Sequence, residues 1–216
     1  QYLAGQTSGV RISATMIGTF SDWGVNAALT KYIAQYRSER NENTLASLLQ
    51  AGLIFKIGLG LVLTFLTFLI SDFVAGFILQ KPEAASLAQV SCLLVLGNQL
   101  YNTSWSIFLG FETMKYNAIL QIMTALLKAL LAPLLVLLGF GVLGAVLGWS
   151  IANLAVGVAG VLTSFFAQYR PLRKVGSHGN MDFTETMGSI LRYGLPLGVT
   201  TIISNFGMQL YLFLMS

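Results

Sequence analysis

From Ala129 to Tyr169 the chain carries no Asp, Glu, Lys or Arg. A membrane-spanning helix needs about 20 mostly apolar residues, so this run is too long for one crossing and long enough for two. GFGVLG at 139–144 supplies the turn between them. A second charge-free run extends from Ala84 to Phe111. Such stretches cannot be covered in water by the charges available, since only 9% of the 216 residues are charged and 55% are hydrophobic. Soluble domains carry about 25% charge. Mean hydropathy is +0.73, and the solvent for most of the chain is lipid. The expected fold is all-α, a polytopic transmembrane bundle. About six spans are predicted, at roughly 9–34, 48–79, 85–111, 116–139, 142–168 and 190–216, with an interfacial turn near Ser71-Asp72.

The net charge of +4 would admit nucleic acid as a partner, but the positions of the charges give it another meaning. Eight of the twelve basic residues fall in three loops: Lys31, Arg37 and Arg40; Lys115; and Arg170, Arg173, Lys174 and Arg192. These loops alternate with QKPEAAS and GFGVLG, which hold one lysine between them. Basic residues collect on the cytoplasmic side, so the charge reports topology in a cytoplasmic (inner) membrane and no nucleic-acid partner is expected. No initiator Met or signal peptide precedes the first span, and LYLFLMS stops inside an apolar helical pattern. The chain is therefore expected to be part of a longer protein, with one span preceding it.

Polar residues recur within every span at intervals of three or four, which places them on one face. The first span has Arg11, Thr15, Gly18, Asp22, Asn26 and Thr30; the second has Lys56, Gly60, Thr64, Thr67 and Ser71. The third has Ser91, Asn98, Asn102 and Ser106, and the fourth Asn117, Gln121, Thr124 and Lys128. The fifth has Ser150, Asn153, Gly157, Gly160, Ser164 and Gln168, and the last Pro196, Thr200 and Ser204. Small and hydroxyl-bearing residues at such positions serve helix packing as readily as a cavity. Charges are harder to explain that way, because one near the bilayer centre costs about 2.5–3.5 kcal/mol and is usually turned to a partner or to water. Lys128 lies roughly 12 residues into its helix, about 18 Å deep, and Lys56 roughly 8 residues in, about 12 Å. Lys128 either faces a cavity or pairs with Asp22. For Lys56 and Asp22 the same alternatives stand, and Arg11 either anchors at the outer interface or joins the cavity. The pattern points to a water-accessible, net positive path suited to an anionic cargo.

Enzymatic chemistry finds little support. The only histidine, His178, lies in the long basic loop, and the only cysteine, Cys92, has neither a nucleophile's partner nor a metal-ligand set. GLG and GFGVLG lack the Lys-Ser/Thr of a phosphate-cradling loop.

Four stretches resemble the Wzx-type polysaccharide/oligosaccharide flippases of the multidrug/oligosaccharidyl-lipid/polysaccharide exporter superfamily (MATE-like). They are FSDWGVNAALTKYIAQY (20–36), FLGFETMKYNAILQI (108–122), LLVLLGFGVLGAVLGWSIAN (134–153) and LRYGLPLGVTTIIS (191–204). The resemblance implies helices two to seven of a two-lobed transporter of roughly 12–14 helices. Residues 1–168 would form the N-terminal lobe without its first helix, 169–189 a basic cytoplasmic inter-lobe loop, and 190–216 the first helix of the C-terminal lobe. It further implies transport of polyprenyl-pyrophosphate-linked saccharides from the cytoplasmic to the outer leaflet, with Lys56, Lys128 and Arg11 as contacts to phosphate or acidic sugar. Membrane lipids and polysaccharide-assembly proteins are the implied partners. No cofactor or metal is expected, and the coupling ion, proton or sodium, stays open. A cation-coupled multidrug exporter is the alternative, followed by a membrane scaffold that transports nothing and a membrane-embedded transferase.

Overall fold

The structure, a computed structural model, describes residues 24–73, 84–175 and 183–215, and these are almost wholly helical. In chain order the helices are α1 (Val25–Ser38), α2 (Glu42–Phe73), α3 (Ala84–Gly110), α4 (Met114–Leu135), α5 (Gly141–Ser164), α6 (Arg170–Val175) and α7 (Phe183–Met215). Among the described residues three stretches are long and apolar enough to cross a membrane: Glu42–Leu69, Met114–Phe140 and Leu143–Leu172.

Local chemistry accounts for the boundaries. Gly24, with φ 68°, breaks the backbone immediately before α1, so the expected span at 9–34 is not continuous helix through this point. A glycine is suited to that left-handed turn because it carries no Cβ. The Asn41 side chain accepts the Thr44 backbone N–H at 3.2 Å, the bond of an N-cap, and starts α2. Glu42 then sits favourably in the first turn. At Ser71-Asp72, where an interfacial turn is expected, α2 is still helical and runs unbroken to Phe73. Pro133 lies inside α4, which continues past it; the chain reverses instead at Gly139 (φ 94°) and Gly141 (φ 53°). That reversal is where GFGVLG predicts it. Beyond α5 a π-wound turn (Phe165–Tyr169) leads directly into α6, so the basic segment expected as a loop over 169–189 begins as helix.

α3 is the central helix, packed against α1, α2 and α5, while α4 rests mainly on α5, and α7 on α1 and α2. The most extensive crossing is between α3 and α5. A Cβ on Gly97 would lie 2.6 Å from the Leu154 backbone nitrogen, and one on Gly157 would lie 2.7 Å from the Gly97 carbonyl oxygen. Small residues at such crossings let backbones meet without lipid between them.

The core is concentrated at one end, where Leu29 and Ile33 of α1, Leu48 and Leu49 of α2, Ile107 of α3 and Ile190 of α7 are enclosed together. The basic turns gather at this same end. Arg37 donates to the Phe111 carbonyl and pairs with Glu112 at 3.2 Å, joining the turn after α1 to the FETMKYN turn. The Tyr169 hydroxyl donates to Gln50 at 3.0 Å, tying the turn after α5 to α2. Lys31 stands 3.7 Å from the centre of the Tyr193 ring. The three basic loops thus share an end of the bundle, as their alternation along the chain predicts.

Candidate functional site

α4 presents lipid-compatible residues over most of its surface: Ile119, Ile122, Leu126, Leu130 and Leu134 are all exposed. Its polar stripe is treated differently. Asn117 is 2% exposed, and its amide donates to the Trp105 carbonyl of α3 at 3.3 Å. Nearby, Phe108 stacks on Tyr116 with ring centres 5.1 Å apart, and a Cβ on Gly160 of α5 would lie 3.2 Å from Leu120. The three helices are therefore locked together around Asn117.

Two helices that run in opposite directions from a common joint keep their residues in step. Three residues before Trp105 is Asn102, and four after Asn117 is Gln121; both are exposed. Seven residues before and after come Asn98, exposed, and Thr124, half-buried, with half-buried Lys128 one turn further. The faces of α3 and α4 that meet at Asn117 carry on, away from the basic end, as one polar side of the bundle.

α5 supports this side at the depth of Lys128. The Lys128 Nζ stands 4.9 Å from the centre of the Trp149 ring, an ammonium over the negative face of an indole. Trp149 is 44% exposed but is rotated half a turn from Ile151, which begins the lipid-compatible stripe continued by Val158 and Leu162. Its helix turn is held in place. Asn153, buried, donates to the Trp149 carbonyl at 3.1 Å, and a Cβ on Gly148 would lie 2.7 Å from the Ala132 backbone.

Lys56 has a different setting. At 1% exposure it is among the largest fully enclosed side chains of the described residues. One turn along α2, Gly60 faces Gln99 and Leu96 of α3, so Lys56 shares the face that meets α3. Among the described residues α2 and α4 do not touch, and the two lysines are not brought together. Lys56→Ala removes a long stem and a charge from a filled interior, and is expected to destabilise the whole protein by about 2–5 kcal/mol. Thermal unfolding in detergent measures this, and Lys56→Met, which keeps the stem's volume, separates packing from charge.

Of the remaining candidates, Asn26 is half-buried on α1, where the Thr30 hydroxyl lies 3.0 Å from its carbonyl and 3.1 Å from that of Ser106 on α3. Arg11 and Asp22 lie outside the described residues, and with them the Asp22–Lys128 pair. Two residues escape the sequence reading. Gln99 is enclosed, with Thr103 and Ser104, at the back of the face that carries Asn98 and Asn102. Trp149 was signalled by hairpin register: equal counting from the reversal near residue 140 sets 128 level with 152, within a turn of Trp149. Most hydroxyls in the stripes satisfy their own helix, as Thr124 does on the Leu120 carbonyl at 2.7 Å and Ser150 on that of Val146 at 2.8 Å.

Helices of this length and apolarity, with a polar side at membrane depth, define a helical membrane protein. Residues 5–216 match the family described as Polysaccharide biosynthesis protein, and the chain belongs to that family, the Wzx-type polysaccharide flippases of the exporter superfamily. Comparison with curated proteins and with solved structures gave no match.

Proposed function

We propose that the chain is the N-terminal lobe, with the adjoining helix, of a flippase in the cytoplasmic membrane. Its cargo is a saccharide precursor linked to polyprenyl pyrophosphate, moved from the cytoplasmic to the outer leaflet by two lobes rocking around a midplane site. Six spans cross the membrane in this reading, with α7 as the first helix of the second lobe. The head group crosses along the polar side formed by Asn98, Asn102, Gln121, Thr124 and Lys128 while the lipid tail stays in the bilayer.

The observation that carries the reading is Lys128, a partly exposed ammonium some 14 residues from the start of α4, about 21 Å along the helix. A charge at that depth is costly unless it serves a partner or a pathway. An exporter of cationic drugs would place carboxylates there, whereas the described polar side presents a lysine and amides.

Depleting the whole protein in its native cells tests the assignment. Lipid-linked saccharide should accumulate facing the cytoplasm, protected from an impermeant glycosidase, and restoring the gene should return it to the outer leaflet. Unchanged leaflet distribution on depletion contradicts the assignment.

A further inference from the structure

We infer that the contact between α1 and α7 is a cytoplasmic gate, latched by Lys31 and Tyr32 on one side against Tyr193 and Ser189 on the other. The inference rests on the flippase reading, in which α7 begins the second lobe and its contact with α1 joins the lobes across the path.

The contact is confined to the basic end of the bundle. Thr186, Met187 and Ile190 of α7 are buried, with Leu191 and Tyr193 packed against the same core. Backbone then meets backbone: a Cβ on Gly24 would strike the Gly194 carbonyl oxygen and lie 2.7 Å from the Gly198 nitrogen. From there on, Val199, Thr200, Thr201, Ile203 and Ser204 are exposed. Burial thus runs from 186 to 198, roughly 18 Å of a helix about 50 Å long.

Pro196 lies between the two glycines. It has no N–H to give the Arg192 carbonyl, so the helix lacks a bond where the contact ends. The Thr200 and Thr201 hydroxyls bond back to the Pro196 and Leu197 carbonyls at 2.6 and 2.9 Å, which favours bending at the same place. α7 is therefore built to hinge just past the gate.

The latch is held by weak bonds. The Lys31 Nζ stands 3.7 Å from the centre of the Tyr193 ring and 5.3 Å from that of Tyr32, and the two rings meet edge to face at 5.9 Å. One exposed ammonium thus bridges a ring from each lobe. The Tyr32 hydroxyl donates to the Ser189 carbonyl at 3.4 Å, long for an O–H donor. The Thr186 hydroxyl is enclosed with no hydrogen-bond partner among the described residues, whereas those of Thr30, Thr103 and Thr163 each bond the carbonyl four residues back. A hydroxyl buried in that way favours the separated state, in which water reaches it. An apolar side chain at this position would suit a contact that stays shut.

Labelling from the cytoplasmic side tests the gate without cargo. In inside-out vesicles holding the whole transporter with a single cysteine at Asn98, an impermeant thiol reagent reaches the polar side through the cytoplasmic opening. Lys31→Gln combined with Tyr193→Leu should speed labelling about two- to fivefold, the worth of one exposed cation–π contact. Thr186→Val should slow it by about fivefold or more, because the shape is kept and the buried hydroxyl is gone. Tyr193→Phe, which keeps the ring, should label at the wild-type rate. A merely structural role would not move the rate in both directions. Rates unaffected by these changes, or moved the same way by both, overturn the gate.

A covalent lock keeps the two readings apart. Lys31→Cys with Tyr193→Cys, joined by a short reducible thiol linker in proteoliposomes, should halt movement of lipid-linked saccharide, and reduction should restore it. Movement undiminished after complete joining overturns the gate and leaves the flippase reading standing. No movement by the wild type overturns the flippase reading, while the labelling rates still decide whether α1 and α7 close the cytoplasmic opening.

Discussion

Replacing Lys128 by Gln in the whole transporter is expected to lower saccharide export by about tenfold to a hundredfold while the protein accumulates normally. Loss of a hydrogen bond to a charged group costs about 1.5–3 kcal/mol, which sets that range. The contrast with stability makes the prediction informative. Lys128 is a burden to the helix, because an ammonium in the middle of a membrane helix costs about 2.5–3.5 kcal/mol on insertion. Among the described residues its compensation is an indole face at 4.9 Å, worth about 0.5–2 kcal/mol, together with partial exposure. Lys128→Leu should therefore accumulate as well as the wild type, or better, and still fail to export. A residue kept for stability shows the opposite: loss of export in proportion to loss of protein. Measuring export per molecule of folded transporter for Gln, Leu and Arg variants separates the two. Wild-type export by Lys128→Leu removes the charge from the account.

Gly157→Val and Gly97→Val are expected to be the most damaging substitutions of the α3–α5 crossing. Their added carbons would meet backbone, at 2.7 Å for the Gly97 carbonyl oxygen and 2.6 Å for the Leu154 nitrogen, and backbone cannot rotate away as a side chain can. The helices must separate, losing the contact that fixes α5 and hence the platform under Lys128. Overpacking typically costs about 1–3 kcal/mol and more where nothing yields, so these variants should exceed that range. Their thermal unfolding temperature in detergent should fall steeply. Ala at either position should have a smaller effect in the same direction. Wild-type stability of Gly157→Val would mean that the crossing is looser than described.

Much of this arrangement was legible because lipid imposes simple rules. The runs at 84–111 and 129–169 lack charge, so they are apolar helix, and the glycines of GFGVLG sit where the second run must reverse. The alternation of basic loops forecast their gathering at one end, now seen in the Arg37–Glu112 and Tyr169–Gln50 contacts. The stripe of α4 was legible for the same reason, since from Asn117 to Lys128 only one side of that helix departs from apolar residues.

The phase of α3 was not. Asn98 and Asn102 lie about 100° from Gln99 and Thr103, so this central helix has polar groups on adjoining sides, and periodicity alone cannot say which is enclosed. The structure encloses Gln99 and Thr103 and exposes the two asparagines. Lys56 and Lys128 look alike in sequence, each a lysine set deep in an apolar helix. Their difference comes from neighbours far along the chain: α3 closes over one, while the other is left beside an indole. Trp149 went unnoticed because an indole in an apolar run reads as lipid contact until its helix is placed.

The account's central claim is that the joined polar side of α3 and α4 is a water-lined path, distinct from the lipid-facing surface of the same helices. Single cysteines placed along α4 and α3 of the whole transporter, in a Cys92→Ala background, test it with a charged, membrane-impermeant thiol reagent. Thiols react as thiolates, which form in water and not in lipid. Cysteines at Asn98, Asn102, Gln121 and Lys128 should be labelled, and labelling should fall when saccharide substrate is present, while those at Ile122, Leu126 and Leu130 stay unreacted. Protection at every position, or labelling without regard to helix face, would contradict the path.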